Sequence, residues 1–165
     1  MTTNKKTLFI TQAAVIAALY VVLTFLSEAF GLASGVIQFR LSEALTILPF
    51  FTPAAIPGLA IGCFLSNLLT GCAVYDIIFG TVATLIGAIG TYLFRKYKWI
   101  APLPPIFSNT IIVPWVLRLV YGLEDAIFYL CITVGIGEIV TCGICGMILL
   151  FALNKHRNVI FKNQY

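Results

Sequence analysis

The chain has 165 residues, 61% of them hydrophobic and only 10% charged, with a formal net charge of +4. A soluble domain carries about 25% charged residues and could not bury this much apolar surface at this length. An ordinary globular domain is therefore excluded, leaving an all-α, polytopic membrane protein. The apolar runs are long and unbroken, as in "LFITQAAVIAALYVVLTFL", without the alternation over ~10-residue strands that a membrane β-barrel requires.

The N-terminal "MTTNKKTLFITQ" places Lys5 and Lys6 before an apolar run, as a signal peptide does. No small-residue cleavage site follows, so the first segment reads as a retained signal-anchor helix. Within it, Ala13 and Ala17 are four apart, as are Ala14 and Ala18. Such small-residue stripes let helices approach closely, either inside one chain or onto another subunit. "GLAIG", Gly58 to Gly62, is a similar stripe that reads as an internal contact.

Candidate spans are 7–29, 41–52, 54–70, 75–95, 104–122 and 125–153. A crossing helix needs about 20 apolar residues, so the second and third are short. Pro49, Pro53 and Pro57 punctuate them, and such breaks are tolerated only where protein or a cavity satisfies the backbone. Six spans put Lys5 and Lys6, then Arg95, Lys96 and Lys98, then Lys155, Arg157 and Lys162 on one side. Cationic loops mark the cytoplasm, so both termini are expected there. Glu28, Glu43, Asp76, Glu124 and Asp125 then fall at or near the outer side. The sequence shows no repeat and no soluble domain, and residues 1–165 read as one membrane domain.

Glu138, in "VGIGEIVTCGICG", lies inside the last span. Counting back from Leu153 at 1.5 Å per residue puts it roughly 22 Å into a ~30 Å core. A carboxylate at such depth costs about 2.5–3.5 kcal/mol on insertion scales and persists when it meets a cavity, partner or substrate. The alternative is a structural bond to Arg118 or a neighbouring helix. In "IQFRLSEALTILPFF", Arg40 and Glu43 are three apart. They form either an interfacial ion pair or a unit in which Arg40 orients an inward Glu43. Asn67, Asp76 and Asn109 add polar groups on other spans. Convergent polar groups in an apolar setting signal a ligand site. With Phe39, Tyr75, Phe79, Trp115 and Tyr121 taken as nearby aromatics, a flat, donor-rich, cationic heterocycle fits this set. The cysteines Cys63, Cys72, Cys131, Cys142 and Cys145 read as small apolar packing residues. The Cys142/Cys145 pair lacks a second ligand pair nearby, so no metal is expected.

"FRLSEALTILPFF", "SNLLTG" with "YDIIFGTVATLIGA", and "VGIGEIVTCG" resemble the QueT family of queuosine-precursor transporters, among the substrate-binding S-components of energy-coupling factor transporters. The resemblance runs over about residues 7 to 155. It implies a non-catalytic subunit with an S-component-like bundle in the bacterial plasma membrane. It also implies a transmembrane coupling protein and two cytoplasmic ATPases as partners, and docking through Ala13, Ala14, Ala17 and Ala18. The substrate it implies is 7-aminomethyl-7-deazaguanine or a related 7-deazapurine. Glu138 and Glu43 would serve its paired N–H edge and its cation, with Asp76 competing for either role, Asn67 and Asn109 reading the ring, and Arg40 beside them. No cofactor and no nucleic acid is expected.

Three other readings remain open. One is an S-component for a different heterocycle. Another is an autonomous transporter or channel, disfavoured by the absence of a polar line through the inner half. The third is an intramembrane enzyme. The single histidine, His156, sits in the basic tail, and Asp76 and Asp125 lie near the outer surface, so neither a Ser–His nor an aspartyl mechanism is served.

Overall fold

A computed structural model describes residues 2–33, 37–122 and 126–157; the side chains of residues 2–4 are not included. Glu124, Asp125 and Lys162 lie outside the described residues. Among those described, all regular structure is helical. The order is α1 (Thr2–Ala29), a 3-10 helix (Leu41–Phe50), α2 (Ala55–Leu69), α3 (Val74–Leu93), α4 (Leu103–Leu119), α5 (Ile127–Glu138), a π-helical segment (Ile139–Cys145) and α6 (Gly146–Lys155). Lys5–Ala29, Val74–Leu93 and the continuous run Ile127–Lys155 are long and apolar enough to cross a membrane.

The bundle is organised for lipid. Large apolar side chains face outward: Ile10 is 67% exposed, Phe128 73% and Leu119 76%. The interior combines apolar clusters around Leu45, Leu59 and Leu150 with many small and hydroxylated residues, among them Ala83, Ser66, Thr84 and Thr91. With no hydrophobic drive between helices in hydrocarbon, close backbone packing and hydrogen bonds hold the helices together.

Residues 41–52 were expected to form a short span of their own. Within them Leu41–Phe50 form a 3-10 helix about 20 Å long at ~2 Å per residue, a long run for that geometry. Pro49 lies within it and has no N–H to offer an α-helical ladder. Such backbone survives at membrane depth only when enclosed by protein. This helix touches α1, α2, α3, the π segment and α6, and most of its residues are buried. Side chains of α1 pin its start: Ser27 Oγ accepts the Leu41 N–H at 2.9 Å, and Thr24 Oγ1 donates to Ser42 Oγ at 2.9 Å.

The two small-residue stripes pack on each other. A Cβ added at Gly58 would lie 2.8 Å from the Ala13 carbonyl oxygen, and one at Gly62 would lie 3.1 Å from Ala17 Cα and 2.7 Å from Tyr20 Cβ. Helices α1 and α2 therefore run parallel, in register. Ala13 and Ala17 face inward on this contact, whereas Ala14 and Ala18 are exposed. Of the four alanines expected on one docking face, two are thus occupied inside the chain. Gly87 and Gly90 of α3 meet Pro105 and Pro104 of α4, so that pair runs antiparallel.

Gly62→Leu must displace Ala17 and Tyr20 together. It is expected to cost about 1–3 kcal/mol of stability by overpacking, read as a lowered thermal midpoint in detergent. Ala14→Leu, on the exposed neighbouring face, should leave the midpoint unchanged.

Candidate functional site

Four elements converge on Glu43, which is 3% exposed. From α1, the Tyr20 hydroxyl donates to Glu43 Oε1. From α4, Asn109 Nδ2 donates to Glu43 Oε2 at 3.3 Å. Within the 3-10 helix, Thr46 Oγ1 donates to the Glu43 carbonyl at 2.6 Å. From the π segment, the Cys142 thiol lies 3.4 Å from that carbonyl and 3.1 Å from Glu138 Oε2. Both carboxylate oxygens of Glu43 are thus held by the protein. Glu138 has the Cys142 thiol, a weak donor, and shares the Asn109 amide with Glu43.

The sequence places Glu138 here by two local devices. At Gly137, an added Cβ would strike the Gln38 carbonyl oxygen, so glycine lets the segment before the 3-10 helix cross directly over α5. The π segment begins at the next residue, Ile139. Single wide turns of this kind are frequent at functional sites, and here Cys142, four residues on, contacts Glu138.

A small cavity of about 30 Å³ opens between these elements. Glu43 and Glu138 supply its acids, and Arg40, Gln38 and Asn109 its donors. Cys63, Gly80 and Thr84 form one wall, with Val113 and Val134 as apolar patches. Thr84 Oγ1 donates to Cys63 Sγ at 3.4 Å, which fixes that wall.

Of the two arrangements open to Arg40 and Glu43, the structure has the one in which Glu43 points inward. Arg40 precedes the helix in extended conformation, φ −99° and ψ 102°, so the α-helical i,i+3 relation does not apply. Glu43 turns inward to Tyr20 and Asn109, and the buried Arg40 guanidinium lines the same cavity, where its charge acts on Asp76 and on Glu43. Arg118 is exposed and does not reach Glu138.

Asn67 and Asp76 are buried but stand behind the lining. A Cβ at Gly80 would lie 3.1 Å from Asn67 Nδ2 and 3.7 Å from Asp76 Oδ1. Asn67 donates to Cys63 Sγ at 3.6 Å, and Asp76 accepts from the Tyr121 hydroxyl at 3.1 Å. The aromatics are not at the cavity. Tyr75, Phe79 and Trp115 instead line an apolar groove between α3 and α4, because the inward face of α3 is made of small residues. Sequence reasoning missed Tyr20, Gln38, Thr46 and Thr84, and read Cys142 only as packing. Tyr20 continues the Ala13–Ala17 stripe, and a phenol there needs a polar partner. Cys142 sits at helical spacing from Glu138.

Donor atoms of Glu43, Glu138 and Cys142 lie within 4.8 Å of one another, a spacing that could hold a metal ion. The oxygens of Glu43 are already engaged, however, and a guanidinium shares the cavity. The set is better suited to an organic ligand with N–H donors and a positive charge, which would relieve the repulsion between two close carboxylates.

The fold and cavity define a helical membrane bundle with a polar, acid-containing core. The model of the QueT transporter family matches residues 10–155, and the chain belongs to that family. A relative from Lactococcus lactis subsp. cremoris, the queuosine precursor transporter QueT, is 40% identical over 96 residues, covering 58% of this chain. That match spans 56% of the relative's length. No solved structure matches.

Tyr20→Phe removes a donor from a buried carboxylate at nearly constant volume. A loss of about 1–3 kcal/mol in stability is expected, measured by thermal unfolding in detergent. An unchanged midpoint would show that this bond does not hold Glu43.

Proposed function

We propose that the chain is the substrate-binding S-component of an energy-coupling importer for a queuosine precursor, 7-aminomethyl-7-deazaguanine or a related 7-deazapurine. Family membership and the relative's name support the substrate class. The observation that carries the reading is the meeting of Glu43, Glu138, Asn109 and Arg40 in one cavity. A deazaguanine offers paired N–H donors and a ring carbonyl, and the aminomethyl group adds a cation.

The two acids then divide the work. Glu43, with one donor on each oxygen from Tyr20 and Asn109, sets the floor of the site. Glu138 keeps acceptor positions for the ligand. Arg40 and Gln38 face the carbonyl side. Asn67 and Asp76 support the wall through Gly80 rather than touching the base. The chain carries no phosphate-binding glycine loop, so ATP hydrolysis belongs to partner ATPases reached through a transmembrane coupling protein. The exposed Ala14 and Ala18 are the remaining small-residue face for that docking, and co-purification with those partners, lost in a variant carrying Ala14→Trp and Ala18→Trp, checks it. In this reading the basic end of the bundle is cytoplasmic and the cavity opens outward in the bacterial plasma membrane.

Calorimetric titration of the purified chain is expected to show tight binding of 7-aminomethyl-7-deazaguanine and weaker binding of guanine and 7-cyano-7-deazaguanine. Glu138→Gln should lower affinity for the aminomethyl base at least about tenfold, ~1.4 kcal/mol, and erase its preference over the cyano base. Absence of binding by any deazapurine would remove the substrate. Unchanged selectivity in Glu138→Gln would remove the role of that acid.

A further inference from the structure

The connection between α3 and α4, residues 94–102, is a built surface. Tyr97 N–H bonds to the Phe94 carbonyl at 2.9 Å, and Ile100 and Ala101 N–H groups bond to the Tyr97 carbonyl at 3.1 Å each. Thr91 Oγ1 donates to the Ala101 carbonyl at 2.9 Å, and Ala101 is fully buried. The Arg95 guanidinium stacks over Tyr92, 4.2 Å from the ring centroid. Trp99 packs edge-on against Phe151 of α6, centroids 5.7 Å apart, which draws this connection to the last turns of α6 and to Lys155.

The result is one end of the bundle where Lys96, Lys98 and Lys155 are exposed beside Tyr97, 60% exposed, and Trp99, 74% exposed. The parallel α1–α2 contact and the antiparallel α3–α4 contact put Lys5 and Lys6 at the same end. Among the described residues no acid joins them: Glu28 and Asp76 lie at the opposite end, and Glu43 and Glu138 inside. Rigid backbone, exposed aromatic rings and unopposed cations combine the two features that match a membrane interface, where indole and phenol rings settle at headgroup depth. Lysines there attract anionic headgroups.

We infer that residues 94–102 and the end of α6 form a binding surface for anionic phospholipid headgroups, with Lys96, Lys98 and Lys155 meeting the phosphates and Trp99 and Tyr97 seated among the glycerol backbones. The purified full chain in detergent tests this by its thermal midpoint with added phosphatidylglycerol or phosphatidylcholine. Phosphatidylglycerol should raise the midpoint further, and high salt should erase the difference. The variant carrying Lys96→Gln, Lys98→Gln and Lys155→Gln should lose that difference while melting like the parent in phosphatidylcholine. In a Trp115→Phe background, Trp99 is the only tryptophan of the two. Its fluorescence should then be quenched more by brominated phosphatidylglycerol than by brominated phosphatidylcholine. Equal shifts with the two lipids, a retained difference in the triple variant, or the same shift with inorganic phosphate would each overturn the inference.

Discussion

The structure turns on enclosing two carboxylates, Glu43 and Glu138, within a bundle whose outer surface is hydrocarbon-facing. Each is too costly to bury without partners, and the partners come from elements far apart in sequence. Tyr20 reaches Glu43 only because Ala17 and Gly62 let α1 and α2 close to backbone contact. Asn109 reaches it from α4, and Cys142 from the π segment. The 3-10 helix exists where Glu43 must sit, and it is tolerated because other helices cover its irregular backbone. Packing of small residues and satisfaction of buried acids are therefore one design.

The bundle has polar ends of opposite character. Lys5, Lys6, Arg95, Lys96, Lys98 and Lys155 gather where α1 begins and α3 and α6 end, while Glu28 and Asp76 share the other end with Arg118 in the last turn of α4. The same asymmetry that orients a membrane protein on insertion leaves one end suited to anionic headgroups. The acid-lined cavity is separate from it, deep between α3, α4 and α5.

Much of the fold was legible in sequence because lipid imposes long apolar segments. Each of the six expected segments overlaps a helical run, the second wound as a 3-10 helix, and Glu138 is buried in the bundle, as the cost of a carboxylate facing lipid requires. The Gly58–Gly62 stripe was read correctly as internal. What was not legible depended on local backbone geometry. The spacing of Arg40 and Glu43 left open whether they pair at the interface or Glu43 turns inward; that residues 41–50 wind as a 3-10 helix, with Arg40 extended before it, could not be read from spacing. Of the aromatics expected around the ligand, Tyr75, Phe79 and Trp115 face the α3–α4 groove and Tyr121 bonds to Asp76, because composition gives a helix its residues but not the direction in which each faces. The polar role of Cys142 was hidden by its small, weakly polar side chain, and that of Tyr20 by the apolar run surrounding it.

The most direct measurement is an experimental structure of the chain with 7-aminomethyl-7-deazaguanine bound. The base is expected in the cavity between α3, α4 and α5, its ammonium or N–H edge within roughly 3 Å of Glu138, with Glu43 still held by Tyr20 and Asn109. A base stacked on Trp115 in the α3–α4 groove, or one in the cavity with Glu138 turned away, would contradict this account.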